Sequence, residues 1–418
     1  MADFADYRPY LPTAEQSRIV GDDAISHAKG RLAIPRIENL FNQWGELAKQ
    51  EFRGITVDGE RTSGLYSLRD EGAPVDDMVA AAGRLLESLS ADERKRGLQE
   101  VDSNLWRQWQ NTEIFVEKHG LRLEFLSDET RELVLRLLRS SLSDQGYQNT
   151  VGVMQLNAFL GNAIGAPGVL GEWSYNFCIY GKPSNVNPWG WQLWGHHLGL
   201  NCLVIGGQMV LTPSFQGAEI CFADEGRFKG LQMFQDEHRR GLDLFNSLSA
   251  QNQQKARLGF DLGGSDLPEG RVHFADYLML GGAHQDNRVV PLEGLNAAKM
   301  TGSQCKCLLD LVNAYVGAMP DGPRQAKMAD VERHLNHTHF CWIGGNGPTT
   351  PFYYRIQSPV IFIEFDHHAG VFLTNKEPLG FHVHTVVRSP NGNDYGLDVL
   401  RQHYAHSHKN AHNHVNHA

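Results

Sequence analysis

Histidine is the residue type in this chain whose spacing can do chemistry. Phe381-His382-Val383-His384-Thr385-Val386-Val387 sets two imidazoles at i and i+2 in a β-branched run. On a strand such residues share a face, so both rings can converge on one metal ion, at about 2.0–2.1 Å from each nitrogen. Gly195-His196-His197-Leu198 is a second source. If it is extended, His196 and His197 point to opposite faces and at most one joins a given ion; if the chain turns at Gly195, both can. Solvated or structural histidines are the competing reading of both motifs. Glu364 lies in the apolar run 360–366, where a carboxylate is costly unless it is paired or bound to a cation. With the His-x-His pair it would make the two-His, one-carboxylate set of non-haem iron and catalytic zinc sites. A buried ion pair with Arg355 or Arg388 is the alternative.

Other polar groups compete for roles. Arg388 shares a strand face with His382 and His384 and could hold a substrate carboxylate in bidentate fashion or lock Asp394 or Asp398. His334, His337 and His339 form a further cluster, and His367-His368, before an Ala-Gly pair that reads as a loop, fit either a site or a loose His tract. The end of the chain differs in kind: five of the 20 histidines lie at or beyond His406 in a low-complexity tract. Such a tract gathers metal by concentration rather than by a fixed geometry. No G-x-S-x-G elbow, P-loop or dinucleotide fingerprint occurs.

These groups must be positioned by a chain of 418 residues, long enough for a sizeable core. At 41% hydrophobic and 21% charged it reads as a soluble globular protein. A net charge of −10 without a Lys/Arg block argues against nucleic acid. No segment reads as membrane-spanning. The start of the chain has no apolar leader and the six cysteines show no disulfide pattern, so a cytoplasmic location is expected.

The first part of the chain reads as helix. Residues 76–89 have helical apolar spacing, and Ser90 with Glu93 makes a capping box for the next helix. A Leu-Ser pair recurs at 126–127, 142–143 and 248–249, each time at an expected helix start. From about Trp173 the pattern turns to strand. Residues 198–205 and 208–212 flank Gly206-Gly207 as a hairpin. Short β-rich runs follow at 272–280, 337–343, 352–357, 360–365 and 381–388, with a helical stretch at 228–258. The expected class is α+β: a helical part (1–150), then a sheet-rich catalytic part (151–404) that is an antiparallel sandwich or partly closed barrel with inserted helices, then a disordered His-rich tail (405–418).

Several segments resemble the uncharacterised domain-of-unknown-function 3500 family. They are Pro188-Trp189-Gly190-Trp191-Gln192-Leu193-Trp194-Gly195-His196-His197-Leu198, Leu211-Thr212-Pro213-Ser214-Phe215-Gln216-Gly217-Ala218-Glu219 and Tyr353-Tyr354-Arg355-Ile356-Gln357-Ser358-Pro359. Ile363-Glu364-Phe365-Asp366, the stretch from His382 to Arg388, the stretch from Asn393 to Leu400 and His403-Tyr404 complete the set. The resemblance makes His196, His197, Glu364, His382, His384, Arg388, Asp394 and His403 stand out. It favours His382 and His384 over His337 and His339 as the metal-facing pair. Two departures are a longer, irregular segment at 367–380 and Phe381 where the family pattern implies Asn.

The expected function is therefore that of a metal-dependent enzyme acting on a small organic molecule, in a setting such as specialised metabolism. A divalent ion (zinc, iron or copper) would be held by His382, His384 and one of His196 and His197, with His403 as a further candidate. Glu364 or Glu219 would serve as base and Arg388 as a substrate anchor. Hydrolysis or elimination, and oxygenation by iron or copper, use the same ligands. A non-catalytic metal-binding protein and a metal-free acid/base enzyme are the rival classes.

Overall fold

The computed structural model describes residues 5–116 and 118–415, with side chains as far as His406. Helices open the chain: α1 (Ala24–Leu32), α2 (Pro35–Lys49), α3 (Val75–Ser88), α4 (Ala91–Gly97), α5 (Asp128–Ser141) and α6 (Asp144–Ala163). The short strands β1 (Leu98–Gln99) and β2 (Leu121–Arg122) fall among them. Every expected Leu-Ser start is a cap. Ser127 accepts from Thr130 N at 3.1 Å, Ser143 from Gly146 N at 2.9 Å and Ser249 from Asn252 N at 3.3 Å. Ser90 and Glu93 form the reciprocal box. Each such cap is worth about 1 kcal/mol and fixes where its helix begins.

The sheet follows as β3 (Tyr175–Tyr180), β4 (Trp189–Gly195), β5 (Leu198–Ile205) and β6 (Gln208–Ala218). Next come α7 (Gln235–Ser247), α8 (Ala250–Ala256), β7 (Arg257–Gly259), β8 (Leu295–Asn296), α9 (Gly302–Val316) and α10 (Asp321–Arg333). The chain ends with β9 (His339–Gly344), β10 (Phe352–Gln357), β11 (Phe362–His367), β12 (Val383–Arg388) and α11 (Leu397–Val415). The α+β class is as expected. The strands form one mixed sheet, ordered β1-β3-β4-β5-β6-β12-β11-β10-β9-β7, with β2 beside β3 and β8 beside β9. It stays open; β1 and β7 are its two ends.

The hairpin across Gly206-Gly207 forms at the expected residues, and Gly206 supplies φ +52° for the tight turn. The decisive pairing is β6 with β12, which brings the first run of strands beside the last. All residues of β3, β4, β5, β10, β11 and β12 are buried. The sheet is thus covered on both faces, and any polar side chain on these strands must find a partner inside the protein.

Two expectations need correction. Residues 272–280 are not a strand: they close on themselves in a turn with a bridge between His273 and Tyr277. His273 Nδ1 accepts from Ala275 N and Asp276 N at 3.3 and 3.4 Å, and Tyr277 adopts φ +54°. A side chain that bonds its own backbone diverts the chain from a ladder. The helical stretch 228–258 is also broken, into α7 and α8, where Ser249 caps a new start. The backbone of α11 is helical to Val415; the side chains of 407–415, and all of 416–418, to which most of the tail expectation applies, lie outside the described residues. Among the described residues no helix is long and apolar enough to cross a membrane.

Candidate metal centre

The chain does turn where Gly195 allows it. β4 passes into β5 through the two residues His196 and His197, and His197 takes φ +100°. That conformation favours glycine, and a non-glycine residue held there stores on the order of 1–3 kcal/mol. The backbone is tied by His197 N donating to Asn111 O at 3.2 Å and Gly217 N donating to His197 O at 2.8 Å. The strained turn aims the His197 ring at β12.

β12 carries the other imidazoles. His384 pairs with Gly217 on β6 and with Asp366 on β11. A Cβ at Gly217 would lie 2.9 Å from His384 Cδ2 and 3.3 Å from His197 Cδ2, so the missing side chain is what lets both rings approach over β6. His384 Nε2 lies 3.0 Å from His197 Nε2 and 3.1 Å from His382 Nε2. One ligand nitrogen from each of the three residues falls within 4.8 Å of the others. All three are buried, and burial first, with neighbouring imidazoles adding, holds each well below the ordinary histidine range.

Protons satisfy such a cluster badly. A neutral imidazole nitrogen carries one N–H or one lone pair in the ring plane, so His384 Nε2 can complete a hydrogen bond with only one of its two neighbours. A cation between the rings satisfies all three at once. Two nitrogens bound at about 2.0–2.1 Å and subtending 90–110° lie about 2.9–3.4 Å apart. The observed 3.0 and 3.1 Å fall in that range.

Around the triad the structure places two further groups: His368, whose role the sequence leaves open, and Asp366, which the sequence offers only within a motif. His368 stands beside His382 and His384, with ring centroids at 4.8 and 4.7 Å. Its Nδ1 lies 2.8 Å from Ala369 O and so carries the proton. That leaves Nε2 as a lone pair, buried and without a hydrogen-bond partner. Asp366, directly across from His384, is fully buried, and neither carboxylate oxygen has a partner. Burial first, then Glu364, pushes its carboxyl well above the usual range. The signal for both was the period of two: with Asp366 opposite His384, and His368 N donating to His382 O at 2.9 Å, the four residues make two cross-strand pairs.

The remaining candidates sit elsewhere. The His196 ring lies tilted against that of His197, with centroids 3.9 Å apart, and its Nδ1 meets Asn157 Oδ1 at 2.7 Å. It supports the turn, and burial pushes its pKa down to about 4. Glu364 receives Leu280 N, Gly281 N and the Tyr353 hydroxyl, at 2.9, 2.8 and 2.5 Å, which anchors the loop at 280–281 instead of an arginine. The Arg388 guanidinium is spent on Asp394 at 2.9 Å and on the carbonyls of Gly281 and Gly282, each at 2.6 Å. One oxygen of Glu219 accepts from Val371, Phe372 and Leu373 N, each at 2.7 Å; burial raises its carboxyl to about 7. His403 lies on α11 against Tyr404, with ring centroids at 5.9 Å. His334 and His339 bond to Asp330 O and Asn296, away from the triad. Trp189 and Trp191 are core.

A cleft of about 160 Å³ reaches the cluster. His196, His197, His368 and His384 form part of its lining, with Ile37, Leu40, Phe41, Phe274 and Val371 as apolar walls.

Fold and centre together define an α+β protein with a three-imidazole cluster buried at the junction of β6 and β12, beneath a small cleft. Residues 71–397 match the family described as "Protein of unknown function (DUF3500)", and the chain belongs to that family. No curated protein and no solved structure matches it.

Proposed function

We propose that His197, His382 and His384 hold one divalent transition-metal ion and that the protein is a metal-dependent enzyme acting on a small organic molecule admitted by the cleft. The observation that supports this reading is that His384 Nε2 stands 3.0 and 3.1 Å from the Nε2 atoms of His197 and His382, with one ligand nitrogen from each of the three buried residues within 4.8 Å of the others. Such an ion polarises a bound substrate oxygen or lowers the pKa of bound water toward neutrality. The chain's own contribution is to keep three neutral imidazoles pre-aimed, to exclude bulk water by burial, and to offer the His368 Nε2 lone pair as acceptor for a proton on the substrate or water.

The donor set narrows the chemistry. Glu364, engaged by loop N–H groups, is not free to complete a two-His, one-carboxylate set of the non-haem iron kind; the unpartnered Asp366 opposite His384 is the carboxylate left for it. Three imidazoles suit zinc in water-activating chemistry. The same set suits copper, which keeps an oxidase as the second reading.

Elemental analysis of the purified chain tests the proposal, beside His384→Ala and a truncation after Tyr404. One zinc or copper per chain, kept on truncation and lost in His384→Ala, is expected. Metal that disappears with the tail would leave the chain a loose metal binder and overturn the reading.

A further inference from the structure

The cleft has a charge pattern at odds with the rest of the chain. The protein carries a net charge of −10, yet two arginines, Arg18 and Arg31, line the passage to the imidazoles. Its one carboxylate is Glu113, and that group is occupied. Glu113 Oε1 lies 3.3 Å from His27 Nε2 and 3.6 Å from Arg31 Nε. The latter is beyond hydrogen-bond reach, and Arg31 Nε is a buried donor without a hydrogen-bond partner. Arg18 has no direct hydrogen bond or ion pair among the described residues, and its charge acts on the buried carboxylate of Glu219. One guanidinium therefore has no direct partner and the other, ion-paired with Glu113, has a buried donor to spare; both line the hollow that holds His197 and His384.

An ion on three neutral imidazoles would add two positive charges at the inner end, beside the Asp366 carboxyl opposite His384. The apolar walls lower the local dielectric at the buried inner end and strengthen the field there, while Arg18 sits at the exposed mouth. Guanidinium presents a planar fork that matches a carboxylate. The volume of about 160 Å³ is below the roughly 300–1,000 Å³ that drug-sized ligands occupy, which suits a body of about one ring. A second hollow of about 430 Å³ adjoins through Arg18 and Val371 and adds Lys376, another cation.

We propose that the cleft takes an organic acid: an apolar body of about one ring whose carboxylate pairs with Arg18 and Arg31 while its other end reaches the imidazole cluster. The proposal rests on the metal-centre reading for the position of the reacting end, but its recognition element is the arginine pair.

The full chain is titrated by calorimetry with 4-hydroxybenzoate and with 4-hydroxybenzamide, its neutral counterpart, once loaded with Co(II) and once in EDTA. The acid is expected to bind at least about tenfold more tightly than the amide in both states. Arg18→Gln is expected to erase most of that preference without changing amide binding. Arg18 is exposed and unpaired, so its loss does not threaten the fold; Arg31→Lys serves as the second, charge-preserving variant and should weaken acid binding through loss of the planar fork. Equal binding of acid and amide overturns the inference. So does an acid preference that survives Arg18→Gln and Arg31→Lys combined, and so does absence of binding by either compound at millimolar concentration. Failure to take up Co(II) at the triad overturns the metal reading alone, because the EDTA titration still decides the acid preference.

Discussion

His197 and His384 are 187 residues apart in sequence, and their Nε2 atoms are 3.0 Å apart. The contact is made across β6 by a strained turn on one side and a strand on the other. The two residues therefore do different work for the fold, which allows the metal role to be separated from the structural one.

His384→Ala removes the nitrogen shared by both short contacts and is expected to abolish stoichiometric metal binding. His197→Asn keeps a polar side chain in a residue type that tolerates positive φ. Its metal-free stability is expected to stay within about 1 kcal/mol of the parent, because relief of backbone strain offsets lost ring packing. Its metal affinity should still fall by about a hundredfold or more, a ligand counting for at least as much as the partners that orient one. Denaturant melts in EDTA and competition titrations with a chelator read the two quantities. A variant that binds metal normally removes His197 from the site.

Gly217→Ala tests the space between the rings. The new Cβ would stand 2.7 Å from Val383 O and 2.9 Å from His384 Cδ2. Backbone cannot yield easily, so about 1–3 kcal/mol of overpacking is expected. Displacement of the His384 ring should weaken the metal further than the loss of stability explains. Normal affinity in a destabilised Gly217→Ala protein would show that the rings do not need that gap.

Most of the scaffold was legible because its signals are local. Ser90, Ser127, Ser143 and Ser249 cap helices where sequence placed them, and Gly206-Gly207 turns the hairpin. The His-x-His motif needs only the period of two to put both rings on one side. What sequence could not supply was strand order. Asp366 becomes interesting only once β11 pairs with β12 in the register that sets it opposite His384. Glu364, two residues away on the same face, looked like the ligand until Leu280 and Gly281 arrived from a loop about 84 residues earlier in the chain to claim it. Residues 272–280 misled for the opposite reason, since their β-rich composition was overridden by the bonds His273 makes to its own turn.

Glu364→Gln separates an anchor from a ligand. The carboxylate accepts two backbone N–H groups and the Tyr353 hydroxyl in a fully buried position. An amide presents one acceptor oxygen and an unwanted pair of donors, so a loss of about 2–3 kcal/mol is expected. Metal stoichiometry and affinity should stay as in the parent. A Glu364→Gln protein that keeps its melting temperature and loses its metal would reverse the assignment.

The buried imidazoles also predict how stability depends on pH. In EDTA, His196 and His119 are each pushed down to about 4, chiefly by burial, and His197, His382 and His384 lie well below the usual range for the same first cause. A group whose folded pKa is depressed contributes stability that is present above its unfolded pKa, about 6.5, and is lost as pH falls toward the folded value. For His196 alone the drop from 6.5 to about 4 is on the order of 3 kcal/mol. Carboxyls raised by burial, such as Glu219 at about 7 and Asp366, act in the opposite sense, because their contribution is present at low pH and is lost as pH rises through the folded pKa. The imidazoles outnumber them. Metal-free protein should therefore lose stability steadily between about pH 6.5 and pH 4. Bound metal should deepen the loss, because protons compete for the same nitrogens. Urea midpoints measured across this range, with and without one equivalent of metal, check the sign. A midpoint that rises on acidification would mean that the cluster is already charged in the folded protein, and the three-imidazole site would have to be abandoned.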